Sequence, residues 1–201
     1  MKDIANTPLV SIICSTYNHG LYISQCLDGF LMQKTNFPFE ILIHDDASTD
    51  NTPDIIREYE HNQPQVIRPI YQKENKYSKK EDIFAKYQCS RVRGKYIAIC
   101  EGDDYWIDPL KLQKQIDFLE NNPDYGMIYT TSKVYNQKEG KIEEDIIGRE
   151  FNGYIELLSG NCIPTLTTCI RSSLVMEYLK EVEPKSKNWL MGDYPMWLWI
   201  S

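Results

Sequence analysis

Three short apolar runs constrain this chain most: Leu9–Ser15 (LVSIICS), Phe39–His44 (FEILIH) and Lys95–Cys100 (KYIAIC). Rich in β-branched residues and nearly free of charge, they read as buried strands. Val66–Tyr71 reads as a weaker strand of the same kind. Between them the apolar spacing turns helical. Leu21, Ile23, Cys26, Leu27, Phe30 and Leu31 recur at intervals of about three to four residues. Ile55, Ile56 and Tyr59 follow a turn over Asp45–Thr52, with Pro53 near the helix start. Glu81–Val92 suits another helix. Leu112, Ile116 and Leu119 form one more, with Asp108 as N-cap, Pro109 at the first helical position and Asn121-Asn122-Pro123 as its stop. Beyond it the sequence predicts a strand over Gly126–Thr131, a polar loop over 136–152 and a short helix near Tyr154–Leu158. A strand over Leu166–Ile170 and a helix from Ser172 complete the reading. Such alternation implies an α/β domain with a mainly parallel sheet. In such sheets ligands lie outside the carboxyl ends of the strands. The turns Thr16–Gly20, Asp45–Asp50 and Glu101–Asp104 all follow strands, so they should gather at one edge.

Composition narrows the function classes. With 201 residues, 42% of them hydrophobic, the chain suits one domain with a real core. A net charge of −7 argues against a nucleic-acid partner, which needs a basic face. A small phosphorylated ligand is compatible with that charge if a divalent cation bridges it. The six cysteines (14, 26, 89, 100, 162 and 169) show no metal-ligand spacing, so reduced core thiols are expected. No apolar window is long enough to read as a membrane span, and the start lacks the features of a signal peptide. The apolar ending Asp193–Ser201 leads us to expect a chain cut within, or just before, further structure.

Two acidic clusters carry the chemistry. In Asp45-Asp46-Ala47-Ser48-Thr49-Asp50, a strand-ending turn and helix cap account for Ser48, Thr49 and Asp50. Asp46 exceeds what a cap needs, and a carboxylate there could accept an N–H of a nucleobase. Tyr17, in the first strand-to-helix turn, is either an ordinary loop tyrosine or a stacking face for that base. In Glu101-Gly102-Asp103-Asp104, clustered acids suit Mg²⁺ or Mn²⁺, which favour hard oxygen ligands. Trp106 reads as a core anchor. Asp193 admits two readings, a helix N-cap and a carboxylate that takes a proton from an attacking hydroxyl. His19, His44 and His61 are too scattered for a metal set, although His44 adjoins Asp45.

The motifs VSIICSTYN (10–18), FEILIHDDASTDNT (39–52), GKYIAICEGDDYWIDPLKL (94–112) and GDYPMW (192–197) together resemble the family-2 glycosyltransferases of GT-A fold. The resemblance implies a Rossmann-like GT-A domain over 1–201, with its nucleotide-binding part at about 8–108 and its acceptor side at 109–201. It implies that Ser15, Thr16 and Tyr17 line the nucleotide pocket, that Asp46 contacts the base and that Asp103 lies near the ribose or diphosphate. Asp104 falls on the metal, Mn²⁺ or Mg²⁺, and Asp193 on the general base. The implied reaction is inverting transfer from a nucleoside-diphosphate sugar, a UDP-sugar first, to a saccharide or lipid-linked saccharide. Surface polysaccharide or glycoconjugate synthesis is the expected setting, in the cytoplasm or at the inner membrane face, with peripheral attachment through a further C-terminal part. The sequence departs from the common pattern in Asn75–Gln88, which lacks an Ala-Arg-Asn-x-Gly helix. It also lacks the Gln-x-x-Arg-Trp element of processive synthases, which favours single-sugar transfer.

Three other readings compete. A receiver-like signalling domain would explain paired acids at strand ends but not Asp193. A sugar nucleotidyltransferase would need a Gly- and Lys/Arg-rich phosphate loop, which Ser15–Gly20 does not supply. A non-catalytic nucleotide-sugar binder shares the nucleotide site without the transfer.

Overall fold

A computed structural model describes residues 7–187, 189 and 191–201; the first six residues, Asn188 and Leu190 lie outside it. The three apolar runs become β1 (Val10–Thr16), β2 (Phe39–Asp45) and β4 (Tyr96–Ile99), and the weaker one becomes β3 (Ile67–Tyr71). With β5 (Met127–Ile128) and β8 (Cys169–Arg171) they form one sheet in the order β3-β2-β1-β4-β8-β5. β1 is parallel to β2 and β4, β2 is parallel to β3, and only β8 runs against its neighbours. The mainly parallel α/β sheet expected from the alternation is present.

Both faces of the sheet are covered, which explains the near-continuous apolar runs. On one face Val10, Ile12, Cys14, Ile41, Ile43 and Ala98 pack with α1 (Ile23–Leu31), α2 (Thr52–Asn62) and α3 (Lys111–Asn121). On the other, Ile13, Leu42, Ile97, Ile99 and Ile170 pack with α5 (Ser172–Val182) and α6 (Tyr194–Ile200). Trp106 is the core anchor expected of it. Its ring meets Phe30 edge-on at 4.8 Å, and its Nε1 donates to the Leu166 carbonyl at 2.8 Å. All six cysteines are free thiols, five of them buried. No described helix is long and apolar enough to cross a membrane.

The sequence reading needs four corrections. The expected polar loop is a hairpin, β6 (Ser132–Asn136) and β7 (Lys141–Ile147), pairing Tyr135 with Ile142 and Lys133 with Ile146. The Asn136 side chain closes its turn by accepting from Lys138 N and Glu139 N. Both faces of the hairpin are largely exposed, so no apolar alternation marks it. Asp108 is not the N-cap of α3, which begins three residues later at Lys111. Its carboxylate instead accepts from Leu110 N at 2.9 Å and Lys114 Nζ at 2.8 Å, while Gln33 from beyond the end of α1 takes Leu112 N at 3.0 Å. The expected Glu81–Val92 helix is a π-helical turn over Phe84–Gln88 followed by a 3₁₀ turn over Cys89–Arg91. That irregular path lets Gln88 Nε2 donate to the Cys14 carbonyl and Ser15 Oγ beneath the end of β1. The two late strands are also shorter than expected, since Thr165–Thr167 is a 3₁₀ turn. A short helix, α4 (Tyr154–Leu157), stands where it was expected.

Candidate active site

The register brings the chemical turns together. Thr16 pairs with Asp45, and Asp45 with Tyr71, so β1, β2 and β3 end level. Chain order reverses beside β1, between β2 and β4, and a parallel sheet opens its ligand crevice there. The Glu101–Asp104 turn closes on β1 through Gly102 N, which donates to the Ser15 carbonyl at 3.0 Å. A Cβ on Gly102 would lie 2.7 Å from Thr16 Oγ1 and 3.0 Å from His19 Nδ1, so this approach needs glycine.

The acids after β2 are fully engaged. Asp45 accepts from Ser48 Oγ and Ser48 N. Asp46 is buried, and its two oxygens accept from Lys76 N at 2.7 Å and Tyr77 N at 2.9 Å. Asp50 accepts from Thr52 N, Thr52 Oγ1 and Gly20 N. Ala47 and Asn18 take left-handed backbone with φ of 64° and 56°. The Ser48 hydroxyl also accepts from Asn18 N, which ties the turn after β2 to the turn after β1.

The acids after β4 stand in the opposite condition. Among the described residues, no other residue donates a hydrogen bond to the side chain of Glu101, Asp103 or Asp104. The nearest base, His19 Nε2, stands 3.8 Å from Asp103 Oδ2. Burial, then the charge of Asp103, pushes the Asp104 carboxyl up to about 6. Burial, then Asp104, with smaller contributions from Asp103 and Asp193, pushes Glu101 up to about 7.

A cleft of about 820 Å³ opens at this edge and brings Ser15, Glu101 and Asp193 together, with Thr165 and the Tyr77–Phe84 loop on its walls. Asp193 fulfils the capping reading: it caps α6, with Oδ1 accepting from Tyr194 N at 2.7 Å. Thr165 Oγ1 donates to its other oxygen, so the carboxylate is held from both sides inside the cleft. Asp103 and Asp104 line a second cavity of about 630 Å³ on the other side of the same turn. Thr16 is buried against Gly102 with its hydroxyl unpartnered, Tyr17 is 43% exposed, and neither Tyr17 nor Asp46 lines either cavity. His44 is buried, stacked on Tyr87 at 5.3 Å and beside Gln72, away from both.

Sequence reasoning left Glu101 undecided and missed Thr165, Gln88 and the cleft-lining loop after β3. The position of Glu101 directly behind a buried strand was the available signal. Thr165 and Gln88 carry none, because only tertiary packing brings them to the site.

A mainly parallel sheet that gathers acids without a donor among the described residues at its reversal point is an α/β domain with its ligand crevice at that edge. The family model for glycosyl transferase family 2 matches residues 11–177, and the chain belongs to that family. Uncharacterized protein Rv1520 of Mycobacterium tuberculosis is 43% identical over 137 residues, covering 67% of this chain and 38% of its own length. The putative teichuronic acid biosynthesis glycosyltransferase TuaG of Bacillus subtilis is 30% identical over 163 residues, 81% of this chain and 62% of its own. UDP-Glc:alpha-D-GlcNAc-diphosphoundecaprenol beta-1,3-glucosyltransferase WfaP of Escherichia coli is 33% identical over 131 residues, 65% and 48%. The chain thus spans less than two thirds of each of these relatives. Among solved structures, Staphylococcus aureus TarS 1-349 superposes with a TM-score of 0.65 at 20% identity, over 94% of this chain and 53% of that one. TarS is also known in complex with UDP-GlcNAc. The mannosyltransferase PcManGT of Pyrobaculum calidifontis, in complex with GDP-Man and Mn²⁺, gives 0.59 at 20%, over 85% and 46%. These neighbours show the fold, and it is the GT-A fold expected from the sequence.

Proposed function

We propose that this chain is the catalytic part of an inverting glycosyltransferase that moves a sugar from a nucleoside-diphosphate sugar to an acceptor hydroxyl. The observation that carries this reading is the Glu101–Asp104 turn. It places three carboxylates at the crevice of the sheet with no donor among the described residues, and one of them, Glu101, shares the cleft with Asp193. Unpaired acids cost stability and call for a cationic partner.

The donor set fits a hard divalent cation such as Mn²⁺ or Mg²⁺, with Asp104 as ligand and Asp103 beside it towards the ribose or diphosphate. No group of three metal-binding side chains stands preformed among the described residues. Such a donor set suits an ion that also takes diphosphate oxygens and water. When bound, the cation would neutralise charge on the departing diphosphate.

The chain's own residues do the rest. In this reading Ser15, which lines the cleft, and the following Thr16 and Tyr17 serve the nucleotide, and Asp46 serves the base end, although Thr16, Tyr17 and Asp46 do not line the cleft itself. The Asp46 oxygens already hold the Lys76–Tyr77 backbone, so this residue shapes the loop as well as the pocket. Asp193, oriented by Thr165 and Tyr194 N, takes the proton of the acceptor hydroxyl. As that oxygen bonds to the anomeric carbon, the bond from this carbon to the diphosphate breaks on the opposite side, which inverts the centre. The β1–β4 half, about 8–108, is then the donor side and 109–201 the acceptor side. A UDP-sugar donor is supported by the ligand of TarS, and a role in surface polysaccharide or glycoconjugate synthesis by the names of TuaG and WfaP. We place the reaction in the cytoplasm, at or near the inner membrane face.

Calorimetry with UDP and GDP, with and without Mn²⁺, tests the reading. We expect metal-dependent binding that Asp104→Ala abolishes, whereas Asp193→Asn keeps binding and lowers transfer by about a thousandfold or more. No nucleotide binding under any metal condition would overturn it, and retained turnover in Asp193→Asn would remove that residue as base. Stable phosphorylation of Asp45 or Asp46 by a small phosphodonor would favour the signalling reading instead.

A further inference from the structure

The turn after β1 holds one group that the transfer reading leaves unused, the imidazole of His19. Its neighbours fix it from both sides. Asn18 takes left-handed backbone with φ of 56°, its N donates to Ser48 Oγ at 2.9 Å, and its Oδ1 accepts from Thr49 N at 2.8 Å. Gly20 N donates to Asp50 Oδ2 at 2.9 Å. The His19 carbonyl accepts from Tyr22 N at 2.8 Å and Ile23 N at 2.9 Å, which ties it to the start of α1. The turn after β2 thus grips His19 by its flanks, and the ring reaches the acids after β4, with Nε2 3.8 Å from Asp103 Oδ2. The two ring nitrogens differ. Nδ1 is buried without a partner, and a Cβ on Gly102 would lie 3.0 Å from it. A sealed N–H without an acceptor is rarer in proteins than a bare acceptor lone pair. The proton therefore belongs on Nε2, the nitrogen that faces Asp103. The Asp103 side chain is 51% exposed and has no hydrogen-bond donor among the described residues, so its rotamer lacks a polar restraint. Asp103 lines the second cavity, whereas His19 lines neither. The imidazole is placed to act on the carboxylate, not on a ligand.

We propose that His19 is a positioning residue for the transfer reaction: its Nε2–H donates to Asp103 and sets the orientation in which that carboxylate meets the donor. This rests on the glycosyl-transfer reading above and adds to it a residue from the first turn. The gap of 3.8 Å is longer than a hydrogen bond, as such contacts commonly are in ligand-free sites, where they tighten in the complex. Ordering a half-exposed carboxylate before the ligand arrives removes an entropic cost from binding. The arrangement also joins the two acid clusters in one device, because Ser48, Thr49 and Asp50 hold the backbone that presents the ring.

Nitrogen NMR of the free protein tests the contact without any ligand. The imidazole proton is expected on Nε2, and Asp103→Asn should shift the Nε2 resonance. A proton on Nδ1, or an Nε2 resonance that ignores Asp103→Asn, would overturn the proposal. Calorimetry of UDP with Mn²⁺ tests the consequence. His19→Ala is expected to weaken binding by about five- to tenfold, the loss of one hydrogen bond to a charged group. Glutamine carries an N–H near the place of Nε2, and asparagine carries its own near the place of Nδ1. His19→Gln should therefore stay within about twofold of the parent, while His19→Asn behaves like His19→Ala. Undiminished binding in His19→Ala, or equal losses in all three variants whatever their Tm, would sink this inference and leave the transferase reading standing. Absent Mn²⁺-dependent binding of UDP and GDP in the parent sinks the transferase reading instead, and the NMR result still decides whether His19 holds Asp103.

Discussion

The turns after β2 and β4 both carry three acids, yet they have opposite chemistry. After β2, Asp45, Asp46 and Asp50 accept from Ser48, Lys76, Tyr77, Thr52 and Gly20. After β4, the carboxylates of Glu101, Asp103 and Asp104 accept from no other described residue, and burial raises two of them toward neutrality. An acid cluster therefore says little by itself. What separates a scaffold from a reactive edge is whether the protein supplies its own donors. The first cluster fixes the Lys76–Tyr77 loop, and the second keeps its carboxylate lone pairs free of donors among the described residues.

Stability measurements on matched variants give this contrast its largest test. Asp46→Ala removes a buried carboxylate that accepts from two part-buried backbone N–H groups, and at about 1.5 kcal/mol for each such charge-assisted bond it is expected to cost about 3 kcal/mol. That corresponds to a Tm lower by about 6–12 °C for a domain of this size. Asp104→Ala removes a carboxylate with no protein donor, so Tm should stay within about 2 °C of the parent or rise. Equal losses in the two variants would break the distinction between the clusters.

A smaller effect is expected at Gly102, which joins the reactive turn to β1. A methyl group there meets Thr16 Oγ1 at 2.7 Å and Thr16 Cβ at 2.8 Å, both on a buried residue that has little room to move. Gly102→Ala should cost about 1–3 kcal/mol and displace Asp103 and Asp104 from the nucleotide. Mn²⁺-dependent nucleotide affinity is then expected to fall by about tenfold. An unchanged affinity would mean that the turn tolerates the shift and that its closeness to Thr16 is incidental.

How much was legible in the sequence follows from where each feature gets its energy. β1, β2 and β4 could be read directly because burial on both faces makes nearly every residue of each run apolar. The β6–β7 hairpin escaped notice because cross-strand pairs and a side-chain-closed turn hold it, with little burial. Asp108-Pro109 looked like a helix start, but Gln33 supplies the acceptor for Leu112 N from a distant part of the chain. The same limit divides the site. Asp103 and Asp104 were visible as acids behind a strand, and Asp193 as a late acid with two readings. That Asp193 caps α6 and still lines the cleft requires α6 to pack beneath it, which no local pattern encodes. The difference between the two acid clusters was likewise invisible, since Lys76 and Tyr77 reach Asp46 through their backbone N–H groups, which every sequence carries.

The least of the expected effects lies at the last residue but one of β2, next to the satisfied cluster. His44 is fully buried, and burial lowers its pKa from the ordinary value of 6.5, with Asp46 opposing and Arg91 adding to the shift. As pH falls through 6.5, the unfolded chain takes up this proton before the folded one does. Stability is therefore lost progressively below that pH, by at most about 1.4 kcal/mol per pH unit. The raised carboxylates at Glu101 and Asp104 titrate over the same range with the opposite sign, because their folded forms bind protons more readily. The net Tm profile mixes both clusters, and the difference between parent and His44→Phe isolates the histidine. Phenylalanine keeps the ring against Tyr87 and gives up the contact with Gln72. Between pH 7.5 and 5 the parent should lose Tm relative to this variant by a few degrees. Parallel profiles would mean that His44 titrates alike in both states, and that the scaffold side of the edge is less sealed from protons than its hydrogen bonds imply.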